Sequence, residues 1–287
     1  MSTFFMQPKG LSDFRIVVSE SLSFLGIIGK MKGIVGGGFY RMLGLNGIEW
    51  MMLIIAAIII GFSKTGIQGA TIPAVALVAV LFGGKASAGI MLPMLMLGDL
   101  IAIFQYGKQG KLSDVLKLLP AAVIGIAGGA IAGNYLDDKQ FKALLGIVVL
   151  ICLGLLVYRE VANRVLLLPK NPIFHWLVGA VSGFSSMVGN AAGPIFNVYV
   201  LSQDLTKNKM IGTTAWFFLL MNIVKLPFHI FMWGTVTWGT LRYMLLMIPF
   251  IAFGSMLGVN FVRKINEMWY KRIIMIMTAI AAIRLFI

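Results

Sequence analysis

Gly61-Phe62-Ser63-Lys64-Thr65-Gly66-Ile67-Gln68-Gly69-Ala70-Thr71-Ile72-Pro73 interrupts an apolar run with three glycines, a proline, a lysine and four neutral polar side chains. Glycine and proline at that density stop a helix, because one frees the backbone and the other removes a donor. The interruption recurs. Gly183-Phe184-Ser185-Ser186-Met187-Val188-Gly189-Asn190-Ala191-Ala192-Gly193-Pro194 opens on the same Gly-Phe-Ser and closes on proline. Two matched breaks in the two halves of an apolar chain are the sequence mark of a transporter's binding site.

Composition places both breaks in a membrane. Of 287 residues, 59% are hydrophobic and only 12% charged, and the mean hydropathy is +0.94. A soluble domain is far more polar. The formal net charge of +14 does not point to nucleic acid, because the cations are scattered singly between apolar runs, as loop lysines and arginines that set topology are. Cys152 is the single cysteine, which excludes an intramolecular disulfide and a cysteine metal site. Residues 1–20 carry Lys9, Asp13, Arg15 and Glu20 with no uninterrupted apolar core, so no cleavable signal is expected.

The pattern predicts an extramembrane or interfacial tail over 1–46, with amphipathic segments near 14–29 and 39–46. Helices are expected at 47–62, 70–83, 86–106, 117–135, 141–158, 173–186, 193–203, 210–233, 241–260 and 271–287. The first, second, sixth and seventh are short for a crossing of about 20 residues, and read as arms of two re-entrant hairpins. Pro120, Gly125, Gly129 and Lys142 recur as Pro249, Gly254, Gly258 and Lys271 at one constant offset, while Gly89 and Asp99 map together onto Gly212 and Asn222. Each half holds an odd number of crossings, so the second is upside down. The expected fold is an all-α polytopic membrane protein of two inverted repeats, 47–158 and 173–287, joined by a loop at 159–172. Each repeat has a broken or re-entrant helical hairpin plus three transmembrane helices. The Gly125, Gly129, Gly133 and Gly254, Gly258 spacings suit close helix packing, and their glycine-rich faces are compatible with a homodimer. Loop cations at 107–117, 158–172, 203–209 and 261–272 fall on one side, which the positive-inside rule makes cytoplasmic.

Broken backbone in hydrocarbon must be buried in protein or line a wet cavity. Helices beginning near Gly69–Ala70 and near Ala192–Pro194 point N-terminal N–H groups and positive dipole ends at the midplane, which favours an anion. Ser63, Thr65, Gln68 and Thr71 in the first break, and Ser185, Ser186 and Asn190 in the second, are the candidate neutral ligands; the alternative is that these hydroxyls only back-bond to freed carbonyls. Lys64 and Lys225 are the intramembrane cations, each costing at least about 2.5 kcal/mol on insertion scales. Asp99 is the acid deep in an apolar run, and its repeat equivalent Asn222 precedes Lys225 by three residues. An Asp99–Lys225 ion pair would leave Lys64 as the substrate cation; otherwise Lys64 or Lys225 supplies the charge. His229, one turn after Lys225, is either an interfacial residue or a proton carrier. His175 beside Trp176 reads as an interface anchor, and the nineteen methionines as packing. No metal-ligand cluster, nucleophile triad or phosphate loop is visible, so neither an enzyme nor a cofactor is expected.

These residues resemble the sulfite exporter TauE/SafE family of membrane permeases over about 48–287. The resemblance rests on Gly-Phe-Ser-Lys-Thr-Gly at 61–66 with Pro73, and on Gly98-Asp99 after Lys85 and Gly89. It also rests on Asn190-Ala191-Ala192-Gly193-Pro194, and on Ile211-Gly212-Thr213 followed by Asn222 and Lys225. It implies an inner-membrane carrier in the lipid bilayer for a small sulfur-containing anion, sulfite or a short organosulfonate, usually exported. Proton coupling through Asp99 or His229 is an open alternative, as are an anion channel and a non-transporting scaffold or sensor.

Overall fold

The computed structural model describes residues 45–67, 69–82, 84–133, 135, 172–203 and 205–284. The expected tail up to residue 44, Gln68, Lys142, Cys152 and the helix and loop expected over 141–171 lie outside the described residues. The chain divides into two units, Met1–Met51 and Met52–Ile287. In the first, Asn46 Oδ1 accepts the N–H groups of Ile48 and Glu49 at 3.0 Å each, and Glu49 accepts Asn46 N–H at 2.7 Å. This reciprocal cap starts a helix.

That helix is α1 (Gly47–Thr65), followed by α2 (Ile72–Phe82), α3 (Gly84–Tyr106) and α4 (Leu112–Ala132). After the undescribed stretch come α5 (Pro172–Gly189), α6 (Ala192–Ser202), α7 (Lys207–Pro227), α8 (Trp238–Lys264) and α9 (Glu267–Arg284). No strand occurs among the described residues. Five helical stretches, Gly47–Thr65, Ala86–Gln109, Leu112–Ala132, Lys207–Met232 and Trp238–Lys264, are long and apolar enough to cross a membrane. The protein is an all-α, multi-pass membrane protein.

One expected length needs correcting. The first helix is not a short arm: α1 has 19 residues and is long enough to cross, while α5, at 18 residues, is not among the five crossing stretches. The Phe-Ser of each break stays helical; in the second break Ser185 donates to Ser182 O at 3.1 Å within the helix, and just after the Phe-Ser of the first, Thr65 donates to Gly61 O at 3.1 Å. The shortest are α2 and α6, at 11 residues each, about 16 Å at 1.5 Å per residue. Both carry proline in the first turn, Pro73 and Pro194, where its missing N–H costs nothing.

The second unit is assembled through glycines that let backbones touch. A Cβ on Gly61 would lie 2.0 Å from Ile251 O, and one on Gly254 would lie 2.0 Å from Ile58 O, which locks α1 to α8. A Cβ on Gly183 would lie 2.1 Å from Ala122 O, and one on Gly125 would lie 2.0 Å from Ala180 O, which locks α5 to α4. Shifting Ile58 and Gly61 by 122 positions gives Ala180 and Gly183; shifting Ala122 and Gly125 by 129 gives Ile251 and Gly254. The first helix of each half therefore packs on the fourth helix of the other, through matched residues.

Helices α3 and α7 obey the same correspondence. Gly89 abuts Thr235 O and Gly212 abuts Tyr106 O, each with a virtual Cβ at 2.3 Å. The two helices therefore run antiparallel, with Asp99 and Asn222 meeting midway. Asp99 and Asn222 differ by 123 positions but Tyr106 and Thr235 by 129, so the second half holds six more residues in between. There α7 passes into a π turn, Phe228–Met232, and then into non-helical chain before α8.

Candidate functional site

The first break is a tight loop. α1 ends at Thr65, Gly69 takes a left-handed φ of 100°, and Ala70 N–H bonds Ile67 O at 3.2 Å. Ser63 Oγ lies 2.7 Å from Thr71 Oγ1 and donates to Ile67 O at 3.2 Å, which clips the loop shut. The second break turns on Asn190, whose φ of 52° an asparagine tolerates better than most residues. Its N–H bonds Ser186 O at 3.1 Å, and Ala191 N–H bonds Ser185 O at 3.2 Å.

The two breaks meet at one cavity of about 50 Å³. Ser63, Lys64, Gly69 and Thr71 line it from the first break; Ser186, Asn190, Gly193 and Pro194 line it from the second. Asp99 and Leu95 of α3, and Thr214, Phe218 and Asn222 of α7, close it. The volume suits a small ligand such as a single oxyanion. The N-terminal turn of α6 faces this space without a side-chain cap on its N–H groups, so donors and the positive dipole end are presented to it.

Asp99 pairs with Lys64, whose Nζ is 2.7 Å from Oδ1. The expected Asp99–Lys225 pair is therefore corrected: Lys64 descends along α3, where Gly98 leaves room for its stem, and reaches the carboxylate first. The Phe218 ring lies 4.6 Å from the same ammonium. Asn222 Nδ2 donates to the other oxygen, Oδ2, at 2.9 Å. Lys225 is fully buried and donates to Asn190 Oδ1 at 2.7 Å and Ser186 Oγ at 3.3 Å. Its position makes Ser186 and Asn190 a bridge between the cation and the cavity they line.

Three predicted residues point elsewhere. Thr65 Oγ1 donates within hydrogen-bond reach of Gly61 O at 3.1 Å and of Ser255 O on α8 at 2.8 Å. Ser185 is buried on Ser182 O. His229 does not sit at an interface: it is fully buried in the π turn, its Nδ1 2.8 Å from Thr235 Oγ1 and its ring edge-on to Trp233 at 5.0 Å. Sequence reasoning passed over Thr214 and Phe218. Thr214, Phe218 and Asn222 follow one another at intervals of four, which puts all three on one face of α7.

No group of three or more histidine, cysteine, aspartate or glutamate side chains positioned for a metal occurs among the described residues. The family model of the sulfite exporter TauE/SafE matches residues 51–285. The chain belongs to that family. TauE/SafE proteins are membrane permeases that export sulfite and related sulfur anions, so this TauE/SafE chain is a membrane transporter and not an enzyme. Comparison with curated proteins and with solved structures finds no match.

Proposed function

We propose that this TauE/SafE protein is a secondary carrier exporting a small sulfur oxyanion, sulfite or a short organosulfonate, bound between the two helix breaks. One observation carries the reading: Lys225 is buried with neutral partners and forms no ion pair among the described residues. A buried cation without a counter-ion is costly, and an anion in the adjoining cavity supplies one. Ser63, Thr71, Ser186, Asn190 and Thr214 offer hydroxyl and amide groups to its oxygens, and the α6 N-terminus adds backbone donors. Gln68 belongs to the same loop by sequence. The small volume favours sulfite or a short sulfonate over bulkier anions.

Two inverted repeats, ending at 158 and beginning at 173, make alternating access a rocking of one half on the other. The exchanged glycine contacts, α1 on α8 and α5 on α4, support that reading, since a two-fold relation generates such a swap. Export of a monovalent anion from an inside-negative cell releases about 2.3 kcal/mol per 100 mV, so it needs no dedicated coupling ion.

Sulfite flux in proteoliposomes tests the proposal. Wild-type protein accumulates sulfite down an imposed potential. Lys225→Met and Lys64→Ala each weaken binding by roughly ten- to a hundredfold, the worth of about 1.5–3 kcal/mol for a charged hydrogen bond. Unchanged binding in both variants removes the site, and unitary currents in planar bilayers replace the carrier with a channel.

A further inference from the structure

The cavity has a countable charge. Lys64 enters it from α1, Asp99 from α3, and Lys225 stands behind Ser186 and Asn190 from α7. With both lysines as ammonium and Asp99 as carboxylate, the cluster sums to +1. Among the described residues the rest of the wall carries no charge: Ser63 and Thr71 from the first break, Leu95 from α3, and Thr214, Phe218 and Asn222 from α7. The next titratable side chain is His229, one turn past Lys225, and it is turned to Thr235 and Trp233.

An interior of this kind tolerates little unbalanced charge, because each uncompensated ion costs several kcal/mol. A monoanion brings the cluster to zero. A dianion leaves it at −1, and Asp99 is the only acid among the described residues at the cavity. We propose, building on the anion-carrier reading, that the site takes its substrate at a net charge of −1 and accepts a dianion only together with one proton held on Asp99. The geometry assigns the atom. Lys64 Nζ contacts Oδ1 at 2.7 Å, and a dianion beside Lys64 draws that ammonium away. Oδ2 stays the acceptor of Asn222 Nδ2 at 2.9 Å. The proton, drawn from solvent, therefore goes to Oδ1, and the charge moved per cycle is −1 whichever anion is carried.

The test is titration calorimetry on the purified full chain in two buffers of different ionisation enthalpy. Ethanesulfonate serves as a monoanion and thiosulfate as a dianion, both free of protonation near neutral pH. The expected result is one proton taken up per thiosulfate and none per ethanesulfonate. The thiosulfate Kd tightens by up to tenfold for each pH unit lowered, while the ethanesulfonate Kd stays level. Asp99→Asn removes the thiosulfate proton and its pH dependence; the wild-type comparison of two anions stands even if that variant folds poorly. Thiosulfate bound without a proton, or with one retained in Asp99→Asn, overturns the inference. Proton uptake with ethanesulfonate also overturns it, by assigning a neutral Lys225 to the empty site. If neither anion binds while sulfite flux persists, the inference fails and the carrier reading stands; loss of sulfite flux as well removes both.

Discussion

Lys64 Nζ lies 2.7 Å from Asp99 Oδ1, while the fully buried Lys225 ends on Asn190 and Ser186. Of these two lysines, only the first is paired with the carboxylate. The paired cation comes from the first break, and the unpaired one rests on the second. Their different surroundings predict different responses to substitution.

Lys225→Met keeps most of the side chain's volume and removes a buried charge that has no ionic partner among the described residues. Replacing buried ions by apolar groups is often neutral or stabilising. The unfolding midpoint in detergent should hold or rise while anion binding falls at least about tenfold. A midpoint drop instead would make Lys225 a structural counter-ion.

Asp99→Leu leaves Lys64 without its partner, and breaking a buried pair from one side costs about 3–5 kcal/mol. The double variant Lys64→Met with Asp99→Leu should recover most of that stability yet bind the anion at least about tenfold more weakly. Thermal unfolding of the single and double variants measures the coupling. Additive losses would mean that the pair contributes nothing.

Asn190 has two tasks, a left-handed φ of 52° and an acceptor for Lys225. Asn190→Gly keeps the backbone and loses the acceptor, so it should fold well and bind weakly. Asn190→Ala loses both, and should be less stable than the glycine variant by about 1 kcal/mol. Equal stability of the two would show that the turn relaxes without strain.

Gly125 and Gly128 lie three residues apart on α4, yet a Cβ at Gly125 meets Ala180 O at 2.0 Å and one at Gly128 finds only Phe184 Cδ2 at 3.9 Å. Gly125→Ala should cost about 1–3 kcal/mol by forcing α4 and α5 apart. Gly128→Ala should be neutral or gain up to about 1 kcal/mol of helix propensity. Unfolding midpoints read both. The same contrast reports on the α1–α8 contact through Gly254→Ala.

Tyr270 on α9 donates its hydroxyl to Gly66 O at 3.0 Å, where the first break leaves a buried carbonyl outside the helix ladder. Tyr270→Phe should cost about 1 kcal/mol or slightly more, because it strands that acceptor. Phenylalanine at the exposed Tyr135 should change nothing. A midpoint unmoved by Tyr270→Phe would show the loop carbonyl satisfied by other means.

Composition and motif were enough to read the membrane class, the all-helical fold, the position of both breaks and the family, because each is encoded locally. Apolar length decides what enters a bilayer, and glycine with proline decides where a helix stops. The repeat offsets were also legible, though nothing in them announced that Gly61 would seat on Ile251 while Gly183 seats on Ala122. Helix ends were missed by a few residues where α1 and α5 continue into the breaks.

What tertiary structure alone decided is which charge meets which. Along the chain Lys225, 126 positions from Asp99, was its expected partner, and Lys64, only 35 positions away, was left for the substrate. The choice follows from the packing of α1 against α3 at Gly98 and from Asn190 and Ser186 occupying Lys225. Thr65, Ser185 and His229 turn away from the cavity for the same reason: a polar side chain satisfies its hydrogen bond with whatever the fold brings nearest. Local sequence sets which groups need partners, and only the assembled helices supply them.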